Sequence, residues 1–286
     1  LRVLLLSIFA HILSDFVFQT TKMIKEKDAM ILKGFLYHGL STFVAILILL
    51  IEYNFFTTII YATIITLVHV IVDYYKARLT CDGKNTIEYE KRMGRSLVLF
   101  LTDQIVHIIS IIFIWKSFDF TTERSIIKLL VIIEKLFPFK QNVVEVINNS
   151  NTFIDANFKL FTEKQIIYAI IYAYICFGGA VFVPKFLDFL YKKIPNYTEK
   201  MFEDEISQIE KQVNIGKYIG IMERALILTI YIEGSITGIA AVITTKSLAR
   251  FSKLNNKDFA EYYLIGTFTS FSLAIAGGLL LKFILK

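Results

Sequence analysis

Histidine and aspartate stand four positions apart inside apolar sequence at three places. His11 and Asp15 do so in Ala10-His11-Ile12-Leu13-Ser14-Asp15-Phe16, and His69 and Asp73 in Leu67-Val68-His69-Val70-Ile71-Val72-Asp73. In Leu101-Thr102-Asp103-Gln104-Ile105-Val106-His107 the order is reversed. On a helix this spacing puts both side chains on one face, a turn apart, where they can grip one ion together. The fourth and last histidine, His38, opens the apolar run Gly34 to Ile51, so all four histidines fall in the first 107 residues.

An aspartate at the centre of a bilayer costs about 2.5–3.5 kcal/mol on the insertion scale, so three of them need compensation. A divalent metal supplies it, because neutral imidazole and carboxylate are both ligands for zinc, manganese or iron. The expected metal ligands are His11, Asp15, His38, His69, Asp73, Asp103 and His107. They exceed the needs of one tetrahedral ion, which leaves room for a second ion or for Asp15, Asp73 or Asp103 to act catalytically as a general base. Metal-dependent hydrolysis of an ester or phosphoester is the chemistry such a set serves. Gln19 and Gln104 are expected to orient the ligands, and Lys76, two turns beyond His69, to hold an anionic leaving group.

Two other classes use the same residues. Histidines and acids at mid-depth carry protons or pass a divalent ion in transporters. They also simply bridge helices, and the protein is then a membrane scaffold or sensor.

These residues need helices to carry them. At 286 residues, 55% hydrophobic and a mean hydropathy of +0.58, the chain is a polytopic membrane protein in composition. Three prolines and 13 glycines favour continuous helices over a membrane barrel. The fold expected is an all-α membrane bundle of about seven spans, near residues 3–20, 34–52, 57–79, 96–115, 165–190, 217–247 and 261–285. The first run reads as a spanning helix, not a cleaved signal peptide. Cys81 and Cys176 have no cysteine near them and no expected role. The charge of +6 follows membrane topology and anionic headgroups, and no nucleic acid is expected as a partner.

The loop after the first span carries Lys22, Lys25, Lys27 and Lys33, and the loop after the third carries Lys76, Arg78, Lys84, Lys91, Arg92 and Arg95. The positive-inside rule makes these loops cytoplasmic, in a cell inner membrane, with the N-terminus outside. At 1.5 Å per residue the histidines and aspartates then share one layer toward the cytoplasmic side.

The chain divides by this reading into a four-helix membrane bundle over 1–115, an outer-face segment over 116–164 and a three-span part over 165–286. The outer segment holds an interfacial helix over 125–137 and an asparagine-rich loop; the last part includes a cytoplasmic helix over 198–215. Residues 217–247 either cross once or fold back at Gly234-Ser235-Ile236-Thr237-Gly238. Lys217 and Arg224, with Lys246 and Arg250, form either an anion site for a lipid phosphate or internal salt bridges with Glu223, Glu233 and Glu261.

The segments around His11, Asp15 and Gln19, Tyr37-His38, His69, Asp73 and Lys76, and Asp103-Gln104 with His107 resemble an uncharacterised bacterial family of membrane proteins, domain of unknown function 3307. Residues 1 to about 115 carry the resemblance; Gly216 to Arg224, Lys246, Arg250 and Glu261-Tyr262 look like the C-terminal half of its longer members. That family supplies no reaction. Histidine and aspartate on the first spans of a small bundle are more loosely similar to membrane-bound metal-dependent hydrolases, a fold-level analogy.

Overall fold

A computed structural model describes residues 1–81, 86–121, 161–191, 206–255 and 257–284. The expected interfacial helix over 125–137, the asparagine-rich loop and the first part of the helix expected over 198–215 lie outside the described residues. Among the described residues every regular element is helical. Five helices are long and apolar enough to cross a membrane: Leu32–Leu49, Phe55–Thr80, Ser96–Lys116, Glu163–Tyr191 and Phe259–Ile284. A sixth is added if the bent pair Arg2–Phe18 and Thr21–Asp28 counts as one span.

We number the helices α1 (Arg2–Ile12), α2 (Thr21–Asp28), α3 (Leu32–Leu49), α4 (Phe55–Cys81), α5 (Thr86–Lys116), α6 (Glu163–Ala173), α7 (Gly179–Tyr191), α8 (Ile206–Ile232), α9 (Ile236–Ala249) and α10 (Lys257–Ile284). Two compact units result, Leu1–Tyr75 with Ile105–Ile166, and Lys76–Gln104 with Ile167–Lys286. The boundaries fall inside α4, α5 and α6.

In the first unit α1 runs into a π-helical turn, Leu13–Phe18, which carries Asp15. The chain then bends by 92° into α2. Thr20 caps α2 by accepting from the Met23 amide, satisfying one of the donors that a helix start leaves open. Lys22, Lys25 and Lys27, expected in a plain loop, therefore sit on a short helix packed against α3, and Lys33 lies in the first turn of α3 itself. Gly34 makes that packing possible, since a Cβ there would stand 2.9 Å from the Lys27 amide nitrogen. One turn on, a Cβ at Gly39 would stand 2.9 Å from Val70 Cγ2. The missing side chain lets α3 close on α4 beside His38 and His69.

Ser14 in the π-helical turn bonds Thr42 on α3 at 2.6 Å and fixes the turn carrying Asp15. At the other end of α1, Arg2 pairs with Glu52 at 2.7 Å. Ser7 bonds the fully buried Tyr61 at 2.8 Å. These contacts join the helices away from the histidines, and Phe118 and Phe120 cover the Tyr61 ring.

In the second unit α6 and α7 are joined by another π-helical turn, Tyr174–Gly178. Ile171, Leu228 and Leu281 form one core cluster and Ile227, Phe271 and Ala274 another, so α6, α8 and α10 pack through apolar faces. The expected separate helix over 198–215 is, from Ile206 on, continuous with α8. Residues 217–247 do not form one helix. They break at Gly234, whose φ of +81° suits glycine, and Ser235 caps α9 by accepting from the Gly238 amide. The Lys246–Glu223 ion pair and the contact of Gly238 with Ile230 show that α9 runs back along α8. The fold-back returns Lys246 and Arg250 toward the level of Lys217 and Glu223.

Candidate metal centre

Six of the seven expected ligands meet in the first unit. The π-helical turn presents Asp15, α1 presents His11, α3 His38, α4 His69 and Asp73, and α5 His107. Every one of these side chains is buried, with His38 fully so. The four-residue pairs do not close on themselves. Asp15 Oδ1 is 3.8 Å from its own His11 Nδ1 but 3.3 Å from His38 Nε2 and 3.2 Å from His69 Nε2. Asp73 Oδ2 lies 3.9 Å from its own His69 Nε2 but 3.2 Å from His38 Nε2.

His38 Nε2 and His69 Nε2 face each other at 2.9 Å. The separations among Asp15 Oδ1, His38 Nε2, His69 Nε2 and Asp73 Oδ2 just given run from 2.9 to 3.9 Å. A tetrahedral ion with ligand bonds of about 2.0–2.1 Å needs ligand atoms about 3.3–3.4 Å apart. Asp15, His38 and His69 thus fit a divalent ion in type and spacing, their ligand atoms all lying within 4.8 Å of one another, and Asp73 adjoins them through His38.

A second group adjoins the first. Ligand atoms of His11, His69 and His107 all lie within 4.8 Å of one another. The His69 and His107 rings stack with centroids 4.1 Å apart. Asp73 faces both groups, with Oδ2 toward His38 and Oδ1 3.8 Å from His107 Nε2. A carboxylate so placed can bridge two ions.

Lys27 is the residue that sequence reading missed. It was counted only as a loop cation, yet it is buried and its Nζ donates to Asp73 Oδ2 at 2.7 Å. Nothing in the sequence separates it from Lys22, Lys25 or Lys33, because its reach depends on the bend before α2 and the bare backbone at Gly34. His38 is held through its backbone as well: its carbonyl accepts from Ser41 at 2.7 Å and Thr42 at 3.1 Å.

Asp103 belongs to the second unit, one turn before His107 on α5, and accepts from Lys76 Nζ at 2.6 Å and from Gln104 Nε2 at 3.3 Å. Gln104 thus orients Asp103, while Lys76 is engaged in an ion pair. Gln19 ends the first π-helical turn with an extended backbone. Lys217 and Arg224 line a cavity of the second unit.

Residues 3–137 match the family described as protein of unknown function (DUF3307). The match takes in every histidine and the three aspartates paired with them. Nothing matches among the curated proteins or the solved structures.

Proposed function

We propose that this membrane protein holds one or two divalent ions, zinc, manganese or iron, and hydrolyses an ester or phosphoester at the membrane. The observation that supports the reading best is the convergence of Asp15, His38 and His69 at ligand-to-ligand spacing, with Asp73 3.2 Å from His38 Nε2 beside them. A bound ion would supply Lewis acidity toward a carbonyl or phosphoryl oxygen and make hydroxide accessible near neutral pH.

The protein's own residues do the rest. Asp15 and Asp73 bring two negative charges to the ion, and His38 and His69 complete its ligand set. His11 and His107, in reach of His69, hold a second ion or accept and return the proton released from the attacking water. Lys27 pairs with Asp73 and competes with the ion for its carboxylate. The positive-inside rule, applied to Lys22, Lys25, Lys27 and Lys33, supports a site toward the cytoplasmic side of an inner membrane with the N-terminus outside.

The test is hydrolysis of p-nitrophenyl phosphate, bis-p-nitrophenyl phosphate and p-nitrophenyl butyrate by the detergent-purified chain. Activity should vanish with EDTA, return with zinc or manganese, and fall about 100-fold or more in His69→Ala and Asp73→Asn. A metal-loaded protein inert toward all three substrates, but passing protons or divalent ions into vesicles through an Asp73→Asn-sensitive path, would assign the centre to transport.

A further inference from the structure

A cavity of about 810 Å³ lies within the second unit, among α7, α8, α9 and α10. Most of its lining is apolar, but Lys217, Arg224, Lys246 and Arg250 all border it, and Glu223 is the one carboxylate residue among the described lining residues. Lys246 Nζ donates to Glu223 Oε2 at 2.5 Å, so that pair balances itself. Three cations remain.

Arg224 is buried, and each of its hydrogen bonds goes to a neutral acceptor. Nη2 and Nε donate to the Cys176 carbonyl at 2.8 and 3.3 Å, and Nη1 donates to Ser270 Oγ at 3.2 Å. Cys176 lies in the π-helical turn between α6 and α7. Among the described residues no carboxylate lies within ion-pairing distance of Arg224. Two glycines shape its slot: a Cβ at Gly179 would stand 2.8 Å from Nε, and one at Gly220 3.2 Å from Nη1. The fold thus clears backbone on two helices to seat a guanidinium that, among the described residues, has no carboxylate within ion-pairing distance.

A buried cation at an apolar wall calls for an anion, and a guanidinium fork matches phosphate oxygens. Lys217 and Arg250 are exposed and add charge at the rim. Measured along the hairpin, they stand roughly 24–26 Å from Gly234 at 1.5 Å per residue, close to the hydrocarbon thickness of about 30 Å. The charged rim suits a headgroup, and the apolar lining below it offers a surface to acyl chains. We infer that this cavity binds an anionic phospholipid, its phosphate held by Arg224, Lys217 and Arg250. The site is independent of the histidine centre and of the reaction proposed there.

Native mass spectrometry and titration of the delipidated full chain in detergent test this. The probes are dioctanoyl phosphatidic acid, dioctanoyl phosphatidylcholine and inorganic phosphate. Phosphatidic acid should bind saturably at one per chain, about tenfold or more tighter than either of the others, as one charge-assisted contact is worth. The rim variant Lys217→Ala with Arg250→Ala, which leaves the buried slot intact, should weaken phosphatidic acid about tenfold and leave phosphatidylcholine unchanged. Arg224→Met should abolish the preference if it folds. Equal binding of the two lipids, no effect of the rim variant, or inorganic phosphate binding as tightly as the lipid would each overturn the assignment.

Discussion

At the scale of single residues, the four-residue step from histidine to aspartate identifies the right side chains but not their partners. Asp15 lies closer to His38 and His69 than to His11, and Asp73 closer to His38 than to His69. The π-helical turn explains the first case: its wider winding turns Asp15 away from the line of an α-helical i, i+4 pair. Lys27 sharpens the test of the centre, since an ammonium 2.7 Å from Asp73 Oδ2 opposes a second cation there. In Lys27→Met, chelator-treated protein should lose about 3–5 kcal/mol of stability, as when one partner of a buried pair is removed. Metal titration of the same variant should show tighter binding than the unsubstituted chain; weaker binding would make Lys27 a support of the ion and not its competitor.

At the scale of elements, hydropathy alone located the five helices long and apolar enough to cross among the seven runs expected, because 18 or more apolar residues in a row serve little besides a membrane or a deep core. What it could not give were contacts made by the absence of side chains. Gly39 reads as an ordinary glycine in a span, yet it sets the approach of α3 to α4 that brings His38 Nε2 to 2.9 Å from His69 Nε2. Gly39→Val should therefore cost about 1–3 kcal/mol in thermal unfolding by overpacking, and should also lower metal occupancy. Unfolding unchanged, with full occupancy, would separate the centre from this contact. The break in 217–247 was legible as one of two choices, since a Gly234-Ser235 step suits both a turn and a helix cap. Choosing between them took the pairing of Lys246 with Glu223. The helix α2 was not legible at all: eight residues with three lysines look like a loop until Thr20 caps them and Gly34 admits them.

At the scale of the molecule, each unit buries charge that a bilayer would reject, and each gathers it beside a π-helical turn. In the first unit the charges are ligand types of mixed kind, whereas in the second a guanidinium is surrounded by neutral acceptors. That contrast explains why the histidine centre could be read from sequence and the cavity only in part: ligand chemistry shows in residue types, but an uncompensated cation shows only once its neighbours are known. If the first unit closes around an ion, stability depends on that ion. Free metal at 100 times its dissociation constant should add about 2.7 kcal/mol, so EDTA should lower the melting temperature of the unsubstituted chain. The same treatment should leave His38→Ala unaffected.

The coordination of the ion is the point on which all of this turns. Metal-edge X-ray absorption of chain purified without chelators should show nitrogen and oxygen at about 2.0–2.2 Å, with outer-shell scattering from two or more imidazoles, both signals being lost in His38→Ala with His69→Ala. Less than about half an equivalent of metal per chain, or a spectrum with sulfur at about 2.3 Å that survives both substitutions, would contradict a metal centre built from these histidines and aspartates.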